Sequence, residues 1–508
     1  MKRVDQLTFT RFAMILLVLF YHGTGSYYMG FLDFFPFSAI LRSAPTAVSY
    51  LYVLSGFVMA LVYFKPGEVL DIAGYWRARF VRIYPLYIIS FILTCLYYYD
   101  GLFRIKPQKF IANIFVVQAW IPAYAQSFNY SSWSMTVEFF FYALFPFILL
   151  WAAKQSSRKL VWSSLGLWAV SQTLHYVLWM RYYPEFRDFV LYFPLFHLSS
   201  FVMGVVGGIW YLREGRSSTH DAGTILVLLF TSLFLIGTYT AVSSEVFPFL
   251  PHNLQPMAGL LAPLMALFIV ALALDESRLS RAFLHPVLVN LGETAYAIYI
   301  LHVPMYWLYE RALTDFGVAN PQSVFDITFL PIMILTGFVV HFYLDIPLRK
   351  WLKKLVQATA IRVFVFDLAV SLLTAFFIFK VRFPLLRDYR SFQDMERLVI
   401  WLSFLLLPAV SLLIGACRRA VLEKPFLQWA RVTALSVTLG NTLMAGVVYV
   451  VYLFGRFENF PRSIFLYIWV IALLSSFLIR WMFSAFKTEI PSPVIAAELI
   501  DSAGKRTA

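Results

Sequence analysis

Charge is what this chain has least of. Of its 508 residues only 13% are charged, while 61% are hydrophobic; a soluble globular protein carries about a quarter charged residues. That shortage excludes a water-soluble fold, and a mean hydropathy of +0.73 agrees. The composition predicts an all-α polytopic membrane bundle. Cysteine is nearly absent too. Cys95 and Cys417 lie far apart in apolar segments, so neither a disulfide framework nor a cysteine-based metal site is available. The motifs HExxH, P-loop and GxSxG elbow are also missing, and metal binding is not expected. The start, MKRVDQLTF, has no small-residue cleavage site and reads as a retained first helix. No internal repeat is found, which gives little support to an inverted-repeat transporter.

Apolar runs are abundant instead. Spans of about twenty residues, enough to cross a bilayer, fall near 6–28, 44–63, 80–99, 134–152, 160–180, 189–211, 222–242, 257–274, 290–311 and 325–346. Four more follow near 362–381, 397–417, 432–454 and 462–482, giving about fourteen helices arranged as ten plus four. The segment 110–121 is too short to span and reads as interfacial or re-entrant. A break near 355–362 divides a ten-helix domain, 1–355, from a four-helix module, 356–486, and a mobile cytoplasmic tail, 487–508. The net charge of +14 sits mostly in short loops, which points to topology and anionic lipid rather than nucleic acid. With the N-terminus inside, the first ten helices place about 17 lysines and arginines inside against 7 outside, as the positive-inside rule requires. Fourteen helices put both termini in the cytoplasm.

Polar residues inside such spans are costly and usually face a bundle interior or a wet cavity. The first helix carries two, Arg11 and His22, joined by an almost wholly apolar run. Eleven helical steps carry the chain roughly 16 Å and three turns plus about 20°, so both heads project from one face. An imidazole there suits a general base acting on a hydroxyl, or a nucleophile that holds an acyl group briefly. Arg11 suits an anionic group or a carboxylate. The structural alternative is an interfacial histidine with a snorkelling arginine.

Three further segments carry polar constellations. In YWRARFVRIYPLY, Arg77, Arg79 and Arg82 stand on the cytoplasmic side; arginines three apart share a helix face and bind phosphates through paired hydrogen bonds. Topogenic charge and lipid headgroups explain the same spacing. In SSWSMTVEFFFY, Trp133 and Ser134 precede Glu138. Ser134 and Glu138 share one face, either as a helix-capping arrangement or as a cavity pair in which Glu138 partners His22. In LGETAYAIYILHVPMYW, Tyr299 and His302 lie on a polar stripe with Glu293 and Tyr296. His302 is expected to line a cavity rather than to react, and a satisfied packing histidine is the alternative.

Together these segments resemble the bacterial membrane acyltransferase family 3, multi-pass O-acyltransferases that decorate surface glycans. The resemblance covers about residues 5–355. It rests on Arg11 and His22, on LYVLSGF with Ser55, Gly56 and Phe57, on RFVRIYPLY, on WSMTVEFFFY and on YAIYILHVP. The family's Glu-x-Pro is here Asp345-Ile346-Pro347. The resemblance implies a cytoplasmic acyl-CoA, usually acetyl-CoA, as co-substrate, and a glycan or lipid-linked saccharide as acceptor. It assigns Arg79 and Arg82 to the donor side, where Arg77 is expected with them, His22 to acyl transfer, and Arg11 and Glu138 to tuning that histidine; Trp133, Ser134, Tyr299 and His302 are expected to line the cavity. It also implies a bacterial inner (cytoplasmic) membrane. The last four helices, with Asp367, Arg382, the Pro461-Arg462-Ser463 stretch and Arg480, resemble the membrane module of polysaccharide-biosynthesis nucleotide-sugar dehydratases and epimerases. That implies assembly with glycan machinery through residues 362–482. The rival readings are a flippase for a lipid-linked sugar and a non-catalytic scaffold.

Overall fold

A computed structural model describes residues 4–24, 44–65, 68, 70–98, 105–182, 185–215, 259–356 and 426–455, with scattered helical positions between 368 and 477. The described residues are helical, with no strand among them. The chain forms two compact units, Met1–Lys353 and Lys354–Ala508. The expected spans 222–242 and 362–381 and the tail lie outside the described residues, apart from single positions, as do most of 397–417 and 462–482.

In the first unit the main helices are α1 (Thr8–Leu19), α2 (Ala44–Tyr63), α3 (Ile72–Tyr97), α4 (Trp133–Ala153), α5 (Ser157–Tyr182), α6 (Leu198–Arg213), α7 (Ala262–Leu274), α8 (Pro286–Asp315), α9 (Pro321–Val339) and α10 (Ile346–Val356). In the second, α11 is Phe426–Gly455. Six helices among the described residues are long and apolar enough to cross a membrane: Thr46–Tyr63, Gly74–Tyr97, Tyr130–Ala153, Pro194–Arg213, Pro321–Lys353 and Gln428–Tyr449. The protein is therefore an all-α membrane bundle, and the described residues do not reach the expected count of fourteen. Part of the difference is chemical. Helix α1 runs only twelve residues before its geometry changes, and α8 carries Glu293, His302, Glu310, Arg311 and Asp315 in one helix. The expected span at 189–211 is broken at Phe193–Pro194, where the short helix Arg187–Tyr192 gives way to a tight turn before α6. The segment near 110–121 holds only an eight-residue helix, Pro107–Ile114.

Among the six candidate spans α2 is the most buried, with 72% of its apolar window inside, against 28% for α9 and its continuation. It lies backbone to backbone on α6. A Cβ on Gly56 would sit 2.1 Å from the Phe201 carbonyl, one on Gly204 would sit 1.9 Å from the Val53 carbonyl, and one on Gly208 would sit 2.7 Å from Phe57 O. Small residues four apart permit this approach where lipid offers no hydrophobic drive. Gly292 does the same for α8 on α1, facing the Thr8 carbonyl at 2.1 Å. Outward, α5 shows Trp162, Val170, Val177 and Met180, the apolar surface a lipid-facing helix presents.

Prolines add specific polar joints. A proline inside a helix lacks the N–H that would bond the carbonyl four residues back. Pro146 frees the Tyr142 carbonyl, which accepts from Trp76 Nε1 at 3.1 Å. Pro304 frees the Ile300 carbonyl, which accepts from Ser90 Oγ at 2.7 Å and from Asn129 Nδ2 at 2.9 Å. The second joint ties α8 to α3 and to the loop before α4.

Candidate active site

A cavity of about 720 Å³ lies among α1, α2, α3, α4, α8 and α10, within the usual size of a small-molecule site. Its lining includes the first turn of α1, the last turn of α2 with Lys65, the arginine turns of α3, and Arg349 of α10. Tyr52, Ser134 and Tyr299 line it as well. Among the described residues its charged lining comprises Arg11, Lys65, Arg79, Arg82 and Arg349 against Glu138 and Glu293, five cations to two carboxylates. In a space partly walled by apolar side chains such an excess favours an anionic ligand.

Helix α3 begins earlier than the hydropathy suggests. Asp71 caps it, accepting from Gly74 N at 2.9 Å, so the whole arginine run is helical. Arg79 and Arg82, three apart, turn to the cavity, while Arg77 faces away and stands exposed, 4.0 Å from Asp71. The Arg79 guanidinium is braced by Tyr63, with Nη2 donating to Oη at 3.0 Å, and lies over the Tyr63 and Tyr142 rings at 5.4 and 5.8 Å. Its Nε has no partner among the described residues.

Glu138 also lines this cavity, and its hydrogen-bond partner is Tyr142, which donates to Oε1 at 2.5 Å. That corrects the expected pairing of Glu138 with His22. The side chains of Ser134, Glu138 and Tyr142 follow one another down one face of α4, and all three line the cavity. Ser134 does not cap the helix either. Ser132 occupies the cap position without a side-chain bond, and Ser134 Oγ donates to the Ser131 carbonyl at 2.9 Å while lying 2.7 Å from the Tyr299 hydroxyl. Trp133 points elsewhere, packing on Tyr192 and His197 outside the cavity lining.

Arg11 and His22 do not share the cavity. Arg11 lines it; His22 does not. At Phe20 the first helix passes into a π turn, Phe20–Thr24, whose wider i→i+5 spacing takes His22 off the face predicted for an unbroken α-helix. His22 lies instead against His302, with Nδ1 3.0 Å from Nε2 and the rings within 7° of parallel. His302 Nδ1 lies 2.5 Å from the Tyr299 carbonyl. His302 is buried, at 2% exposure, and is not among the cavity-lining residues. It stands one turn of α8, roughly 4.5 Å along the axis, beyond the cavity-lining Tyr299. Tyr130 and Tyr21 approach the His22 ring edge-on at 5.0 and 5.3 Å, and Tyr130 continues to Trp307.

What the sequence reading missed is the pairing of Asp345, noted only as part of Asp345-Ile346-Pro347, with Arg349 and His341. Asp345, wholly buried, receives Arg349 Nε at 2.7 Å and faces His341 Nδ1 at 3.2 Å. A second π turn, Val340–Asp345, brings them together. The pattern His341-x3-Asp345-x3-Arg349, read at helical spacing, could have found this cluster. Among the described residues no group of three His, Cys, Asp or Glu is placed to hold a metal ion.

The described fold is a polytopic bundle with a cationic cavity and, outside its lining, a partly buried histidine pair. The acyltransferase-domain family, acyltransferase family 3, matches residues 4–346, and the chain belongs to it. It is 26% identical over 333 residues to Acyltransferase MdmB of Streptomyces mycarofaciens, covering 60% of this chain and 81% of that protein. It is 27% identical over 285 residues to Putative acetyltransferase ORF330 of Acidianus two-tailed virus, covering 55% of this chain and 73% of that one. Putative O-acetyltransferase SACOL0978 of Staphylococcus aureus (strain COL) is 21% identical over 324 residues, with 60% of this chain and about half of the relative, 52%, aligned. No solved structure matches the chain.

Proposed function

We propose that this membrane acyltransferase moves an acetyl group from acetyl-CoA, at the cytoplasmic end of the cavity, to a hydroxyl of a surface polysaccharide or its lipid-linked precursor. The observation that carries the reading is one of position. Five cationic side chains line the cavity together with the Ser134–Tyr299 hydroxyl pair, and His302, the ring partner of His22, stands one turn of α8 past Tyr299.

The donor's phosphates pair with Arg79, Arg82 and Arg349, whose planar guanidinium groups suit phosphate oxygens. The thioester then extends toward Ser134 and Tyr299. His22 takes the proton of the acceptor hydroxyl as that oxygen attacks the thioester carbonyl. A C–O bond forms, the C–S bond breaks, and the proton passes from His22 to the departing thiolate, leaving the free thiol. Arg11 and Glu138 belong to the donor end in this scheme. The aromatic flank of Tyr130 and Trp307 beside His22 offers an acceptor sugar its apolar ring face.

In this reading the protein sits in the bacterial inner membrane with both termini cytoplasmic, and residues 362–482 dock partners of glycan assembly. The test is consumption of acetyl-CoA by purified protein supplied with the glycan, with free thiol released in step with ester formed. A flippase or a scaffold would leave acetyl-CoA untouched.

A further inference from the structure

We propose that His302 is a positioning residue that fixes the tautomer of His22, so that His22 Nε2 is the bare nitrogen presented to the acceptor hydroxyl. The inference rests on the acyl-transfer reading above. It begins from a group with no choice of role. The Tyr299 carbonyl has no proton to give, and it lies 2.5 Å from His302 Nδ1, so the hydrogen between them belongs to Nδ1. A neutral imidazole carries one ring proton, which leaves His302 Nε2 as an acceptor. That nitrogen sits 3.0 Å from His22 Nδ1, and the contact is a hydrogen bond only when His22 Nδ1 carries the hydrogen. The lone pair of His22 is then on Nε2.

Burial keeps the chain of bonds from rearranging. His302 is 2% exposed, and Tyr130 and Tyr21 meet the His22 ring edge-on, each within about 5 Å between centroids. The arrangement has the logic of a triad in which an orienting group selects the tautomer of the base, with a histidine anchored on a backbone carbonyl in the orienting place. When His22 accepts the acceptor's proton, its Nδ1–H bond to His302 gains strength from the new positive charge. His302 keeps its own proton throughout, and the proton held on His22 leaves with the donor thiolate.

The experiment is nitrogen NMR of full-length protein labelled at histidine, in detergent, at a pH where the histidines are neutral. The His22 signals are those that vanish in His22→Ala. The expected result is a protonated Nδ1 and a bare Nε2 in the wild type. The same pattern is expected in His302→Gln, whose amide oxygen can accept from His22 while its NH2 faces the Tyr299 carbonyl. His302→Leu should lose the Nδ1 preference. In cells, acetylation of surface glycan should fall roughly 10- to 100-fold in His302→Leu, the usual cost of removing a group that orients a working histidine, and should recover in His302→Gln. A wild-type His22 protonated on Nε2 overturns the proposal, and that spectrum decides even where His302→Leu fails to fold. So does a folded His302→Leu with full acetylation and an unchanged His22 pattern. Continued acetylation by His22→Ala would instead overturn the acyl-transfer reading, and the tautomer would still be read directly.

Discussion

Asp345 and Arg349, four residues apart where the second π turn passes into α10, are joined through both carboxylate oxygens: Nε donates to Oδ1 at 2.7 Å and Nη2 donates to Oδ2. The carboxylate is fully buried and the guanidinium a fifth exposed, and Arg349 faces the cavity. Asp345 thus sets where one of the five cavity cations points.

Asp345→Ala leaves Arg349 and His341 without this partner. Removing one side of a buried pair costs about 3–5 kcal/mol, and the partial exposure of Arg349 places the loss near the lower end. Asp345→Glu should recover part of it. Thermal unfolding of the purified variants in detergent checks this; an Asp345→Ala protein as stable as wild type would contradict the clamp.

The arginines of α3 should separate by face. Arg79→Ala and Arg82→Ala are expected to raise the KM for acetyl-CoA roughly tenfold or more each, the scale of one hydrogen bond to a charged group, with a smaller effect on the acceptor. Arg77→Ala should change either by less than about twofold, because an exposed pair at its distance from Asp71 contributes little. Equal effects of all three would argue against a donor site on the cavity face.

Close packing of α2 on α6 makes Gly56 intolerant. Gly56→Ala drives a methyl into the Phe201 carbonyl, and the helices must separate, costing about 3 kcal/mol or more. Gly166→Ala, with nothing within 4 Å, should stabilise α5 by about 0.5–1 kcal/mol. Midpoints of thermal unfolding for the two variants should move in opposite directions.

Among the described residues, those lining the cavity lie between Val4 and Arg349. Deletion of residues 362–508 should therefore leave donor chemistry detectable. A well-folded truncation with none would make the C-terminal segment part of the active site.

Much of this was legible in the sequence because a membrane restricts the alternatives. Once charge is scarce and apolar runs are long, only helices can satisfy the backbone, and each polar residue inside a run stands out. Arg11, Arg79, Arg82, Glu138, Ser134 and Tyr299 were found that way, and they share a cavity. Pairings were harder. Glu138 was matched to His22 because both sit near the outer ends of their helices, yet the bond goes to Tyr142, one turn along its own helix. The face shared by Arg11 and His22 followed from an unbroken period of 3.6, and the π turn at Phe20–Thr24 breaks that period without a proline or glycine at its start to announce it. Asp345 read only as the family's Glu-x-Pro position, and its bond to Arg349 lies behind a second π turn.

The most direct measurement is mass spectrometry of surface glycan from cells carrying wild-type protein, His22→Ala, or no protein, with equal membrane insertion verified. The account predicts the mass step of one acetyl group in the wild type and its loss in the other two. An acetylated glycan in cells carrying His22→Ala would contradict the central role given to that histidine.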